Sequence, residues 1–310
     1  MSHKVIFKKM KYNYEVLKRH WRDSHWRKQV LLSRVGKILF PKNDGVKVVE
    51  QEWDNLIILD ACRYDAFKEV NTINGKLSCI KSRGTDTTEF LINNFGGKYR
   101  SIIYITANVY VDLLLRGRFY RIVSVWDDGW DDMLGTVHPS TMVEYTIKVL
   151  EEYPDRRLII HFIQPHWPFI GETKILYSDA AKDLRDIAKG LYKIPRPDFW
   201  SLVEKGEINK EDAWKAYKDN LILVLRYVKK LLKHLHGKTV ITADHGEAFG
   251  EKLYPLLPIK IWGHMPSVRI DALTNVPWLE VKNKSAKMKS EKKKIVKSVE
   301  KLRSLRRLRV

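Results

Sequence analysis

Residues 239–251 read TVITADHGEAFGE, a strand-like run that ends abruptly on charged groups. Thr239, Val240, Ile241 and Thr242 are β-branched and suit a buried strand, whereas Asp244 and His245 are costly to bury without a partner. A metal ion suits an adjacent carboxylate and imidazole. The pattern recurs at 55–65, NLIILDACRYD, where Asp60 follows a short apolar run.

Outward from these two runs, SIIYIT (101–106), RIVSV (121–125), RLIIHFI (157–163) and VPWLEV (276–281) read as further strands. Helical periodicity fits between them at about 87–95, 140–152 and 211–235. Such alternation predicts an α/β fold: a mostly parallel central sheet with helices on both faces. Functional groups in these sheets gather beyond the carboxyl ends of strands, so Asp60, Asp244 and His245 are expected at one edge. The stretch 172–210, which includes KIPRPDFW, breaks the pattern and is expected as an insertion or lid.

The chain has 310 residues, 44% of them hydrophobic, and a formal net charge of +20. A large core is within its reach. Lys and Arg crowd the two ends, which divides the chain into a basic N-terminal segment (1–49), a domain (50–281) and a basic tail (282–310). In the tail, Ile295, Val299, Leu302 and Leu305 recur at helical spacing. Basic ends of this kind attract anionic lipid, nucleic acid or acidic glycan, or serve as solvated appendages. No long apolar run and no apolar signal core occurs, so the expected location is cytoplasmic, with peripheral contact at the inner membrane face. Cys62 and Cys79 are too few for a disulfide framework and are expected as free thiols. VWDDGWDDM (125–133) lacks calcium-loop spacing and reads as a surface loop with buried tryptophans. Tyr104, Tyr110 and Tyr120 are expected in the core.

SRGTDTTEFLINNF (82–95) reads as a helix start, with hydroxyl residues and Asp86 ahead of Glu89 and an apolar run. Capping alone accounts for it. A hydroxyl placed there also meets the free amides of a helix N-terminus, a setting for phosphate, and a nearby metal would make it a nucleophile. HFIQPHWP (161–168) puts His161 near a strand end and His166 in a Pro-rich turn, and WGHMP (262–266) puts His264 in a loop. His166 and His264 together suit three roles: holding an oxyanion, protonating a leaving oxygen, or binding a second metal.

Four segments, in this order over residues 55–281, resemble the sulfatase-like branch of the alkaline phosphatase superfamily, which includes phosphoethanolamine transferases and lipoteichoic acid synthases. NLIILDACRYD resembles the first strand with its acidic metal ligand, followed here by Arg63 and Asp65. SRGTDTTEF resembles the nucleophile turn of the phosphoethanolamine transferases, and HFIQPHWP the substrate-binding histidine segment. The helical stretch leading into TVITADHGEAFGE, with WGHMP after it, is similar to the Asp-His-Gly-Glu region and the late histidine.

The resemblance implies attack of a metal-activated hydroxyl on phosphorus, a covalent phospho-enzyme, and transfer to water or an alcohol. Thr87 is the implied nucleophile and Thr85 its rival. Asp60, Asp244, His245 and the Thr87 oxygen are the implied metal ligands, with His166 and His264 on the substrate oxyanion. Arg63 and Arg83 are candidates for substrate charge, with Asp65 and Asp86 as competing structural partners. The implied cofactor is a divalent ion, zinc or manganese. One ion is the default, because Phe162 stands where two-metal phosphodiesterases of the superfamily carry an Asp. TDTTEF lacks the Cys or Ser motif of true sulfatases, which ranks a phosphotransferase or phosphodiesterase acting on a phosphorylated lipid or glycan above a sulfate-ester hydrolase. A non-catalytic anion- or membrane-binding module that keeps the fold is the third reading.

Overall fold

The computed structural model describes residues 23–40, 43–176, 199–255 and 257–283. The helix expected in the basic tail, most of that tail, and residues 177–198 of the expected insertion lie outside the described residues.

In chain order the elements are α1 (Ser24–Leu39), β1 (Asn55–Leu59), α2 (Tyr64–Val70), β2 (Lys76–Lys81), α3 (Thr87–Asn94), β3 (Tyr99–Thr106), α4 (Val109–Leu115), β4 (Phe119–Ser124) and α5 (Val125–Asp128). They continue with β5 (Trp130–Asp131), β6 (Thr136–Val137), α6 (Pro139–Glu152), β7 (Arg157–Phe162), α7 (Phe199–Glu204), α8 (Lys210–Leu231), β8 (Lys238–Ala243), β9 (Ala248–Tyr254), β10 (Leu257–Gly263), α9 (Asp271–Thr274) and β11 (Asn275–Lys282).

β1 is buried along its whole length because it lies inside a seven-stranded sheet, ordered β2-β11-β8-β1-β7-β3-β4. β1 pairs in parallel with β7 on one side and β8 on the other, and β3 continues the parallel set with β7 and β4. β11 runs antiparallel to both β8 and β2. Strand alternation divides the core between two faces. Ile57 and Leu59 point into a cluster with α2, α6 and α8, while Leu56 and Ile58 point into one with α3 and α4. The sheet is therefore mostly parallel and covered on both faces, as the strand and helix pattern predicts. Its register sets Leu59 beside Phe162 and Ala243, which brings the carboxyl ends of β1, β7 and β8 level.

Several elements depart from the expectations. β2, whose KLSCIK sequence is only partly buried, forms an edge strand, and β9 and β10 form a separate antiparallel hairpin. Within the stretch expected as an insertion, α7 buries Phe199 and Trp200 in the main core. VWDDGWDDM is not one irregular loop: it makes α5 and β5 and buries Trp126. Tyr104 is buried as expected, but Tyr110 is only partly buried, and Tyr120 is exposed with the Arg156 guanidinium 4.0 Å from its ring centre. Cys62 and Cys79 are free thiols. Among the described residues, no helix is long and apolar enough to cross a membrane.

Candidate metal centre

The level strand ends bring Asp60 from β1 together with Asp244 and His245 from β8, all three fully or nearly fully buried. One ligand atom from each lies within 4.8 Å of the others. His245 Nε2 is 3.4 Å from Asp244 Oδ2 and 3.7 Å from Asp60 Oδ1. Its other ring nitrogen donates to the Gly246 carbonyl at 2.7 Å, a bond that leaves the Nε2 lone pair facing both carboxylates. Burial, then the positive charge of His264, hold His245 well below the ordinary histidine range, so the ring is neutral and able to ligate.

The carboxylates are fixed by the backbone and by one asparagine. Asp244 Oδ1 accepts from the Ala61 and His245 amides at 3.0 and 2.9 Å. Asn108 Nδ2 donates to Asp60 Oδ2 at 2.7 Å, while Asp60 Oδ1 is buried with no hydrogen-bond partner. Burial and the charge of Asp244 push the Asp60 carboxyl well above the usual range. A cation beside Asp60 offsets that penalty on its charged form. The orphaned Asp60 oxygen and the aimed His245 lone pair thus fit a divalent ion, and the mixed oxygen and nitrogen donors suit zinc or manganese.

Backbone geometry around the centre is constrained. Ala61 has φ 59°, the left-handed region, and Tyr217 Oη braces this turn by donating to the Ala61 carbonyl at 2.8 Å and accepting from the Arg63 amide at 2.9 Å. Glycine follows Asp244 and His245 because a Cβ at Gly246 would collide with the Ala272 carbonyl.

Thr87 is the first residue of α3, capped by Asp86, whose carboxylate accepts from the Glu89 amide at 2.6 Å. Its hydroxyl donates to Asp244 Oδ2 at 2.7 Å and lies 3.4 Å from His245 Nε2. Thr85 is buried elsewhere: its hydroxyl sits 2.8 Å from Glu89 Oε2 and 2.9 Å from the Met265 carbonyl.

A second group adjoins the first. His166, Glu247 and His264 also offer ligand atoms within 4.8 Å of one another. His264 Nδ1 bonds Glu247 Oε1 at 2.8 Å, and the His264 ring centre lies 4.4 Å from that of His245 and 5.2 Å from that of His166. Burial opposes charge on His264, but Glu247, with Asp60 and Asp86, outweighs it and pushes the pKa up to about 10. Burial and the charge on His264 hold His166 well below its ordinary value. His166 Nδ1 bonds the Trp167 carbonyl at 2.6 Å. Asn220, fully buried on α8, staples this loop: its amide nitrogen lies within 3.3 Å of the Pro165, His166 and Pro168 carbonyls.

The two arginines sit differently. Arg63 is held by Asp65 at 2.6 Å, by Glu251, and by the Glu247 carbonyl, and it lies over Trp214. The structural reading of Arg63 is the one its contacts follow. Arg83 makes no ion pair with Asp86, and its Nε is buried without a hydrogen-bond partner. Sequence reading passes over Glu247, Asn108, Asn220 and His161 as functional groups. His161 is fully buried on β7, with Nδ1 3.0 Å from Tyr104 Oη and Nε2 3.8 Å from Asp244 Oδ2. The Asp-His-Gly-Glu spacing was the available signal for Glu247; the others become visible only through the fold.

No protein-family model and no curated protein matches the sequence. Solved structures do match. The lipooligosaccharide phosphoethanolamine transferase A of Neisseria meningitidis, an integral membrane protein, aligns over 76% of this chain at 13% identity with a TM-score of 0.51. The chain spans 48% of that protein's length. The zinc complex of the periplasmic domain of EptC from Escherichia coli aligns over 74% of this chain and 72% of its own at 14% identity, TM-score 0.45. An alkaline phosphatase superfamily protein from Vibrio parahaemolyticus aligns over 74% and 59% at 11% identity, TM-score 0.42. This chain shares the fold of the Neisseria phosphoethanolamine transferase.

Proposed function

We propose that this protein is a metal-dependent phosphotransferase or phosphodiesterase that acts on a phosphorylated lipid or glycan through Thr87. The carrying observation is the Thr87 hydroxyl at the start of α3, 2.7 Å from Asp244 Oδ2 and beside Asp60 and His245. In this reading Asp60, Asp244, His245 and the Thr87 oxygen hold one divalent ion, zinc by preference and manganese as the alternative. Bound there, such an ion lowers the pKa of the hydroxyl and offsets charge that builds on phosphate oxygens.

The remaining steps fall to the chain's own groups. Asp244 accepts the Thr87 proton as the Thr87 Oγ1–phosphorus bond forms and the bond from phosphorus to the leaving oxygen breaks. His264, held protonated by Glu247, supplies the proton that the leaving oxygen takes up, and His166 orients a phosphate oxygen. The positive end of α3 favours the anion at the same spot. Water or an acceptor alcohol then attacks phosphorus and passes its proton to His264, while the phosphorus–Oγ1 bond breaks and Asp244 returns its proton to Thr87 Oγ1. The substrate class draws support from the lipooligosaccharide in the name of the Neisseria transferase that shares this fold. The proposed location is the cytoplasm, at the membrane's inner face.

Incubation of the zinc-loaded protein with bis-nitrophenyl phosphate, followed by peptide mass analysis, tests the reading. A nitrophenyl phosphate adduct on the Thr87 peptide is expected. Turnover without an adduct on Thr87, or with one on Thr85, contradicts it.

A further inference from the structure

We propose that the outer face of α1 docks on the surface of an anionic lipid bilayer. α1 has two unlike faces. On the inner one, His25 and Lys28 pair with Glu204 of α7, Leu32 packs among Leu253, Ile261 and Met265, and Gly36 lies against the Ser267 backbone. On the opposite one stand Arg27, Leu31, Arg34 and Ile38, within an arc of about 60° at the helical turn angle.

Two branched aliphatics lie open on this face, Leu31 61% and Ile38 79% exposed, with Leu39 half exposed at the helix end. A helix covered only by water places polar residues there instead. Arg27, Arg34 and Lys37 are interleaved with them and form no ion pair with any described residue. This alternation complements a bilayer boundary, with guanidinium and ammonium groups at anionic headgroups and aliphatic chains just below. The centre of a protein interface is, by contrast, depleted in charge.

Placement gives the face a use. Ser267, against which Gly36 packs, is three residues from His264, so α1 is seated on the loop that carries a candidate substrate group. Docking through α1 would bring a membrane-borne phosphate ester to Thr87. The inference rests on the proposed function for that purpose but is tested without it.

The full chain is sedimented with vesicles of phosphatidylcholine and phosphatidylglycerol, and with vesicles of phosphatidylcholine alone. The paired variants are Leu31→Ser with Ile38→Ser, and Arg27→Glu with Arg34→Glu. The wild type is expected to bind the anionic vesicles and not the neutral ones. Charge reversal should lower partitioning by about 25-fold or more, at roughly fivefold for each arginine lost, and the serine pair by about tenfold. Turnover of water-soluble bis-nitrophenyl phosphate should be unchanged in both. Equal vesicle binding by wild type and variants, or no binding by the wild type, overturns the proposal. So does a serine pair that converts a dimer to a monomer without altering vesicle binding, since the face would then join two copies. Loss of vesicle binding in protein that never turns over any phosphate ester upholds the docking face and sinks only the catalytic reading.

Discussion

Asn108 carries two duties on one side chain, and separating them tests the proposed metal centre from behind its candidate ligands. Oδ1 caps α4 by accepting from the Tyr110 amide at 2.9 Å, and Nδ2 donates to Asp60 Oδ2 at 2.7 Å. Asn108→Ser preserves a capping oxygen and removes the donor. Asp60, whose Oδ1 is already without a partner, then has two bare oxygens in a buried site. A hydrogen bond to a charged group is worth about 1.5–3 kcal/mol, which corresponds to roughly 10- to 150-fold in zinc affinity. The direction follows from the proton. Burial and Asp244 already hold the Asp60 pKa high, and loss of the Asn108 donor raises it further, so zinc must displace a more tightly held proton. Competition against a coloured chelator at fixed pH reads the affinity, and the melting temperature of the metal-free protein reads the cap. Asn108→Asp keeps the cap as well but sets a second acidic oxygen against Asp60, and should bind zinc more weakly still. Affinity in Asn108→Ser within about twofold of wild type, against the expected loss, would refute the reasoning.

Three other outcomes are expected. Asn220→Ala removes the staple of the His166 loop and should cost about 2–4 kcal/mol of stability, with turnover reduced and metal content retained; metal analysis and thermal unfolding check both halves. Gly246→Ala forces a Cβ onto the Ala272 carbonyl and should cost about 1–3 kcal/mol as an overpacking change, seen as lower soluble yield and melting temperature. His161 is held neutral by burial, its pKa lowered from 6.5 to about 4. Between those values the unfolded chain binds a proton that the folded one does not, so stability is intact above about pH 6.5 and falls as pH drops toward 4, by about 3 kcal/mol in all. Urea unfolding of the metal-free protein against pH should show this contribution as a slope that is shallower in His161→Gln than in the wild type.

Legibility in the sequence followed the physics of each element. β1 and β8 are short apolar runs that stop at acids, so strand and candidate ligand announce each other, and the juxtaposition of Asp60, Asp244 and His245 was readable. α3, α6 and α8 carry apolar stripes and were readable from periodicity. β2 lies at the sheet edge with a mixed surface, and β9 and β10 pair with each other outside the main sheet, so neither gives a buried run. Thr85 and Thr87 differ by one side-chain direction at a helix start, which spacing does not resolve: one faces Glu89, the other Asp244. Asn108 and Asn220 look like a cap and a mid-helix polar residue. Their roles arise from β1 and the Pro-rich loop, which are far away in sequence.

The most direct test is metal analysis of purified wild type, Asp244→Ala and Thr87→Ala, beside turnover of bis-nitrophenyl phosphate. About one tightly held divalent ion is expected in the wild type, with its loss in Asp244→Ala and retained metal without turnover in Thr87→Ala. A wild type that holds no metal and stays inactive with added zinc or manganese would contradict the proposed function.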